Sequence, residues 1–368
     1  MKCFNVLAPL LCLIPLSLAA DSLYSVVNLG SLGTGAAQPT AINGSGTVAG
    51  FVTDPLGNQI PVTFDGRTNP LSGIGQANAI NSTGTIAGTG YLGKSPYVVE
   101  WSSGTTTNLG VSGYGTAIND SGQVAGGMLT SGGQLHAFLW SNGALVDLGT
   151  LPGMTWSSAY GINSSGQVVG TSSYGGLSTA FVSNGTGLTA VSGSLGGINS
   201  YGMAINNQGV VVGNAQNAQG YLHAFESSAT GMVDLGTLGG SQSYAYGIND
   251  AGTVVGYSYL AGNQSTHAFV YLGGVLIDLN TMLLPDDSGW TIDAAYGINA
   301  RGDIAAVGTF NNQLYALELQ PNVEAVLAAD EPADPPPVPE PTPFLLTCGG
   351  IIVLWLVFRR RVRFLKDI

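Results

Sequence analysis

A ten-residue motif is repeated seven times along this chain, and the repetition limits the fold more than any other feature. The motif follows the pattern Ala/Gly-Ile-Asn-x-x-Gly-x-Val/Ile-Ala/Val-Gly, begins at residue 41, and becomes irregular in its last copy, after Ile304. Its central isoleucines are Ile42, Ile80, Ile118, Ile162, Ile205, Ile248 and Ile298, at intervals of 38 to 50 residues. One four-stranded propeller blade takes roughly 40–45 residues, so this period predicts a β-propeller.

Each repeat has the pattern of short strands joined by tight turns. In the third repeat, residues 114–118, 136–140 and 144–148 are strand-like runs, and the motif supplies a turn and the start of a returning strand. Asn-x-x-Gly and Asn-Gly favour turns because Asn and Gly tolerate positive φ. No amphipathic helical stretch is evident between residues 22 and 320. The sequence therefore predicts an all-β domain.

The two ends of the repeat region predict that the array closes on itself. The last repeat stops after a third strand at residues 313–319, whereas residues 24–30 resemble an isolated fourth strand. An N-terminal strand that completes the last blade would remove exposed sheet edges. We expect a seven-bladed β-propeller over residues 21–320, closed by this strand; an open or differently counted all-β array is the alternative.

The chain is flanked by segments typical of export. Residues 1–20 have the features of a cleavable signal peptide: Lys2, an apolar centre over 6–18 and small residues before position 21. Cleavage would remove Cys3 and Cys12, and Cys348 lies in the C-terminal apolar segment. The exported domain would then contain no cysteine, so no disulfide would stabilise it.

The C-terminal region predicts a linker followed by a single transmembrane helix. Residues 321–337 are rich in proline and acids, and the apolar run 344–358 precedes a basic cluster. Fifteen helical residues span about 22 Å, which is short for a hydrocarbon core of roughly 30 Å, but flanking arginines can extend the span by snorkelling. The basic cluster would stay cytoplasmic, with the propeller outside.

This tail resembles the PEP-CTERM protein-sorting signal of Gram-negative bacteria. The resemblance covers residues 338–363 and rests on the motif Val338, Pro339, Glu340 and Pro341, the apolar helix, and the cluster Arg359, Arg360 and Arg361. It implies an exosortase-type membrane protease as a partner, which removes the tail and passes the protein to the cell surface or exopolysaccharide matrix. A plain single-pass anchor is the alternative.

The repeats resemble the HAF-type bacterial extracellular repeat family. The tripeptide His-Ala-Phe occurs at residues 136–138, 223–225 and 267–269, and Asp-Leu-Gly-Thr-Leu-Gly-Gly occurs at 234–240 with a variant at 147–153. Other repeats carry Tyr97, Thr179 or Tyr315 at the histidine position. The resemblance implies secretion and a repeat fold, and it implies no catalytic activity.

Composition excludes one class of partner. The formal net charge is −12, and between residues 21 and 338 the basic residues are Arg67, Lys94 and Arg301. Nucleic-acid binding depends on neutralising phosphates with lysine and arginine, so we expect no nucleic-acid partner.

No catalytic or metal site is evident in the repeats. His136, His223 and His267 occupy one register in different repeats, which would hold them apart around a ring, and we interpret them as structural strand residues. Asp147, Asp234 and Asp278 are interpreted as turn caps, and the motif asparagines as turn formers. We expect no cofactor; Ca²⁺ is a minor alternative, because the Asn119–Gly122 type of turn lacks the alternating acids and distal glutamate of a calcium loop.

The longest interval, before the last repeat, contains the candidate ligand-binding residues Trp290, Asp286, Asp287 and Asp293. A tryptophan beside acids can stack on a sugar ring, although it can equally pack over a blade end. We therefore expect an exported, non-catalytic protein of the cell surface or exopolysaccharide matrix. A glycan-binding propeller lectin is the alternative, and a propeller hydrolase or lyase ranks last because catalysis needs unlike residues in unlike blades.

Overall fold

The computed structural model describes residues 24–30 and 37–322, which form strands and turns with two short 3-10 helices. The all-β class and the propeller architecture are confirmed. Within these two ranges, no helix combines the length and the apolar composition that crossing a membrane requires. The signal peptide, the sorting tail and its predicted transmembrane helix lie outside the described residues.

The strands follow one another as antiparallel neighbours through successive repeats. The first strand and the first repeat are β1 (Tyr24–Gly30), β2 (Ala37–Ile42), β3 (Val48–Thr53), β4 (Gln59–Phe64) and β5 (Thr68–Pro70). The second and third repeats are β6 (Gly75–Ile80), β7 (Ile86–Leu92), β8 (Ser95–Ser102), β9 (Thr105–Ile118), β10 (Val124–Leu129), β11 (Leu135–Ser141) and β12 (Ala144–Gly149).

The remaining repeats have the same order. The fourth is β13 (Trp156–Ile162), β14 (Val168–Tyr174), β15 (Leu177–Ser183) and β16 (Leu188–Ala190); the fifth is β17 (Gly196–Ile205), β18 (Val211–Asn217), β19 (Leu222–Ser228) and β20 (Gly231–Asp234). The sixth is β21 (Gly239–Ile248), β22 (Val254–Leu260), β23 (Thr266–Leu272) and β24 (Val275–Asp278), and the seventh is β25 (Thr291–Ile298), β26 (Ile304–Phe310) and β27 (Gln313–Pro321).

The number of separate blades differs from the prediction. Hydrogen bonding gives five four-stranded sheets in the described residues, and a sixth sheet joins the seven strands from β6 to β12. The prediction of seven four-stranded blades is therefore wrong: five blades are separate, and the second and third repeats are merged. The cause is β9, which pairs with β8 through residues 105–112 and with β10 through 113–118 without a loop between the two segments. The ladder with β8 contains a bulge at residues 109–111.

The predicted closure of the ring by the N-terminal strand is confirmed. β1 runs antiparallel to β27, with Tyr24 opposite Pro321 and Val26 opposite Leu319. We call the paired strands β1 and β27 the seam. Tyr24 and Leu29 of β1 are buried in two different apolar clusters, one on each side of it. The seam is thus held by both hydrogen bonds and apolar packing.

The last residue of the motif is a glycine in six of the seven repeats because another strand lies directly against it; the seventh copy has Ala306 there. Gly126 pairs with Phe138 on β11, and a Cβ at Gly126 would overlap the carbonyl oxygen of Tyr114 and touch the phenyl ring. The same pairing joins Gly170 to Phe181, the last residue of a Thr-Ala-Phe sequence. Both phenylalanines are fully buried, so the third residue of the His-Ala-Phe tripeptide and of its Thr-Ala-Phe variant places an aromatic ring in the core between sheets.

The long interval before the last repeat packs along the edge of β1 that does not pair with β27. It contains the 3-10 helices Leu279–Met282 and Pro285–Asp287. The N–H of Leu284 donates to the carbonyl oxygen of Tyr24 at 2.9 Å, and the N–H of Val26 donates to Asp287 Oδ2 at 3.0 Å. Because unpaired edges invite association with other chains, this segment protects the seam.

A buried carboxylate lies on the inner side of the same seam. Glu318 on β27 is only 6% exposed, and its Oε1 has no hydrogen-bond partner. Burial is the main cause that raises the pKa of the Glu318 carboxyl above its ordinary value of 4.5, against an opposing hydrogen bond with Gln320. The ionised carboxylate is therefore less favourable in the folded chain than in the unfolded chain.

Glu318→Gln is expected to stabilise the protein by about 1 kcal/mol at pH 7, because it removes a buried charge with an unsatisfied oxygen. A raised folded-state pKa favours folding fully below the unfolded pKa, and this advantage is lost as pH rises through the folded pKa. The gain from the substitution should therefore shrink as the pH falls toward 4. Urea unfolding of both proteins between pH 4 and 8 measures this; equal stabilities at pH 7 would contradict it.

Candidate functional site

The seven inner strands surround a central channel, and the motif asparagines form a ring near one end of it. The side-chain oxygen of each asparagine accepts the backbone N–H four residues later; Asn43 Oδ1, for example, accepts from Thr47 at 3.0 Å. The same contact recurs in all seven repeats. The predicted role of these asparagines as turn formers is confirmed.

The amide nitrogen of each asparagine side chain joins neighbouring repeats. Each Nδ2 donates to the backbone carbonyl oxygen of the asparagine in the next repeat, at 2.9–3.3 Å. The series runs from Asn43 through Asn81, Asn119, Asn163, Asn206 and Asn249 to Asn299, which donates back to Asn43. We call this closed series the asparagine ring. Sequence reasoning missed it, although the use of Asn in every repeat, where Asp or Ser would also make the turn, was a usable signal.

A collar of isoleucines divides the channel into two cavities. Six of the seven motif isoleucines line both cavities, and Ile80 lines only the one that the asparagines line. The residues two positions before each isoleucine line the other cavity. We call these the asparagine mouth and the tyrosine mouth. The collar makes each mouth a separate shallow cup with its own chemistry.

The asparagine mouth, of about 370 Å³, has nearly the same residues from every repeat. Its two acids, Asp120 and Asp250, accept backbone N–H groups of Ser82 and Asn207 at 2.8 and 2.9 Å. These carboxylates are therefore engaged in joining adjacent repeats. Across the described parts of the chain, no three His, Cys, Asp or Glu side chains lie close enough together to hold a metal ion.

The tyrosine mouth, of about 200 Å³, differs from repeat to repeat and is lined by uncharged residues. The positions two residues before the isoleucines are Thr40, Asn78, Thr116, Tyr160, Met203, Tyr246 and Tyr296. The first three repeats thus contribute hydroxyl and amide groups, whereas the last four contribute mostly aromatic rings. This mouth therefore has a polar side and an aromatic side.

The lining tyrosines Tyr246 and Tyr296 belong to a larger group of packed tyrosines. Tyr257 lies 4.8 Å from Tyr244 and 5.9 Å from Tyr246 between ring centroids, and Tyr246 lies 5.4 Å from Tyr296. The hydroxyl of Tyr244 donates to Gln242 Oε1 at 2.6 Å. Burial raises the pKa of Tyr244 and of Tyr246, so these phenols stay neutral at physiological pH. Their rings are partly buried, which leaves aromatic surface open to solvent.

The three histidines pair with the three aspartates of the neighbouring strand. The distances from His Nδ1 to the carboxylate are 3.0 Å for His136–Asp147, 2.8 Å for His223–Asp234 and 2.6 Å for His267–Asp278. The aspartates also accept the N–H two residues later, as the turn-capping prediction requires. These His–Asp hydrogen bonds were missed, although the constant spacing of eleven residues between His and Asp was a signal for them.

The structure places the candidate residues of the long interval at the seam. Trp290 packs against Phe310 and Tyr315, with ring centroids 4.9 and 5.4 Å apart. Asp287 accepts the N–H of Val26, and Asp286 is exposed in the same short helix.

Asp293 belongs to the same region but lies on β25. Its Oδ2 accepts the hydroxyl of Thr309 at 2.7 Å, and burial raises the pKa of its carboxyl. The contacts of Trp290 and Asp287 explain why these residues are present without a ligand. A ligand-binding role for the four residues stays a prediction.

Exposed apolar side chains lie at the tyrosine end of the ring. The hairpins between the second and third strands of each repeat end there, because the second strand runs away from the asparagine turn. Leu56 is 86% exposed and Leu92 is 78% exposed at two of these tips, and Tyr174 is exposed at another. This end is therefore the more apolar of the two faces.

Comparison with known proteins supports the fold and nothing finer. No family model matches the chain, and no curated protein matches it. Among solved structures, the propeller domain of the Trilobed protease from Pyrococcus furiosus, which has an open velcro topology, matches with TM-score 0.51 and 9% identity over 78% of this chain and 96% of that one.

Two further structures have a similar level of likeness. A puromycin-hydrolyzing peptidase from Mycobacterium tuberculosis matches with TM-score 0.50 and 11% identity over 79% of this chain, and TolB from Acinetobacter baumannii with TM-score 0.45 and 12% identity over 76%. The chain spans 55% of the peptidase and 64% of TolB. At these identities the similarity is one of fold, which many functions share.

Proposed function

We propose that this chain is an exported, non-catalytic β-propeller of the HAF repeat type, delivered to the cell surface or exopolysaccharide matrix through a PEP-CTERM-type tail. The observation that supports a non-catalytic role best is the equivalence of the repeats. Each His–Asp pair lies on the third and fourth strands of its own repeat, so the pairs stay apart. Catalysis needs unlike groups that converge on one reacting atom.

The proposed processing is tested on protein from the native host. Mass spectrometry should find a C-terminus near Pro341, because an exosortase-type protease would cut at the motif. A triple variant, Pro339→Ala with Glu340→Ala and Pro341→Ala, should stay full-length in the membrane fraction. The matched variant Pro335→Ala, Pro336→Ala and Pro337→Ala, in the linker, should be processed normally. Native protein that ends at Ile368 and stays in the membrane would contradict the proposal.

A second candidate function is glycan binding, and the asymmetric tyrosine mouth favours it. Aromatic rings beside hydroxyl and amide groups suit sugar rings, which have both apolar faces and polar edges. The loop with Trp290, Asp286, Asp287 and Asp293 is a second candidate contact. A glycan array with native protein and with Trp290→Ala would show whether that loop takes part; unchanged binding removes it. A hydrolase or lyase remains the lowest-ranked candidate.

A further inference from the structure

We infer that the tyrosine mouth is a binding site for an uncharged polysaccharide. This inference deepens the glycan-binding candidate and rests on it, but it does not depend on how the tail is processed. It names one end of the channel as the site and one class of ligand, and it follows from the shape, the polar groups and the charge of that mouth.

The shape of the mouth is an aromatic arc opposite a polar arc. Tyr160, Tyr201, Tyr244, Tyr246 and Tyr296 lie on the inner strands of the last four repeats, at the second or fourth position before the motif isoleucine. The corresponding positions in the first two repeats are Gln38, Thr40, Gln76 and Asn78. Tyr246 and Tyr296 line the cavity and contact each other, and Tyr244 packs behind them through Tyr257.

The polar arc is suited to accept hydrogen bonds. The hydroxyls of Thr40 and Thr116 donate to backbone oxygens at 2.7 and 2.9 Å, and Asn78 Nδ2 donates to Gly115 at 2.7 Å. These bonds use donor groups and fix the side chains, whereas hydroxyl and amide oxygens keep lone pairs for a ligand. Sugar hydroxyls are hydrogen-bond donors, so they match an arc of fixed acceptors.

The charge of the mouth excludes ionic ligands. No Asp, Glu, Lys or Arg is among its lining residues, and burial keeps the tyrosines Tyr160 and Tyr246 neutral by raising their pKa. A polyanionic chain would also meet a protein with a net charge of −12 and few basic groups. The cavity, about 200 Å³, is smaller than the roughly 300–1,000 Å³ typical of sites that enclose a whole ligand. It fits the end or a bend of a chain, with the remainder on the surface.

The test is native electrophoresis of the protein isolated from its native host, through gels that each contain one polysaccharide. Neutral α-glucan, β-glucan, mannan and galactan are the probes, and alginate is the anionic comparison. At least one neutral polymer should retard the protein, and alginate should not. Tyr246→Ala should weaken the retarding interaction about 5- to 150-fold, since one aromatic stacking contact is worth roughly 1–3 kcal/mol by alanine substitution. Tyr246→Phe should keep most of it.

Control variants separate this site from other surfaces. Tyr174→Ala removes an exposed tyrosine at a hairpin tip and should leave retardation unchanged; thermal unfolding confirms that every variant is folded. Retardation by none of the neutral polymers, or by alginate alone, would overturn the inference. So would retardation that survives Tyr246→Ala; its loss in the Leu56→Ser, Leu92→Ser variant would then place the polysaccharide contact on the exposed hairpin tips. A correct C-terminus near Pro341 without any polysaccharide binding would leave the proposed export intact.

Discussion

Deletion of the closing strand Tyr24–Gly30 is expected to lower the free energy of unfolding by about 4 kcal/mol or more. The strand buries Tyr24 and Leu29, and burial of one large apolar side chain is worth roughly 1.5–3 kcal/mol. The deletion also exposes the outer edge of β27 and removes the strand to which Leu284 donates. Domains have only about 5–15 kcal/mol of stability, so much of the shortened protein should be unfolded at 37 °C.

Urea unfolding monitored by circular dichroism measures the loss. A synthetic peptide with residues 22–30 should restore much of it when added to the shortened chain, because an isolated strand can pair with a free sheet edge. Asn28→Ala is the matched control: this residue of the same strand is exposed, and its side chain accepts one N–H, from Gly30 at 2.8 Å. It should cost less than about 1 kcal/mol. Equal stability of the shortened and complete chains would show that closure does not stabilise the ring.

The sequence predicted the closure well because the relevant signal is local. The missing fourth strand of the last repeat and the surplus strand at residues 24–30 can both be found by aligning the repeats with one another. Which repeats form separate blades could not be predicted in this way. Whether a stretch such as residues 109–111 forms a loop or a bulge depends on pairing with β8 and β10 at the same time. A turn signal alone does not decide between them.

The same difference applies to the candidate sites: contacts between residues close in sequence could be predicted, whereas contacts between strands or repeats could not. Turn capping by Asp147 could be predicted because it involves a residue two positions away. The pairing of His136 with Asp147 required the register between two strands, and the tyrosine mouth required four repeats to be placed around one axis. Trp290 was identified by its unusual surroundings in sequence, but its packing against Phe310 depends on how the loop folds back over β26.

Replacement of one member of the asparagine ring is expected to have the other large effect. Asn206 is 5% exposed; its Oδ1 accepts the N–H groups of Gln208 and Val210 at 3.1 and 2.9 Å, and its Nδ2 donates to Asn249. Asn206→Ala removes all three bonds: the N–H groups of Gln208 and Val210 lose this acceptor, and the carbonyl oxygen of Asn249 keeps only the N–H of Gly252. One hydrogen bond contributes about 1 kcal/mol net, so we expect a loss of about 3 kcal/mol in urea unfolding.

The variant Asn206→Asp distinguishes the role of this side chain in its own turn from its role in the asparagine ring. Aspartate keeps the oxygen that accepts from Gln208 and Val210, but the ionised form has no proton to donate to the carbonyl oxygen of Asn249 and repels it. Burial and this repulsion should raise the carboxyl pKa in the folded state, so the variant should approach wild-type stability at low pH and lose stability as pH rises. Asn184→Ala, which removes one exposed side-chain contact with Thr186, should cost little at any pH. Wild-type stability of Asn206→Asp at every pH would mean that the donated bond between repeats contributes nothing, and the asparagines would then serve their own turns alone.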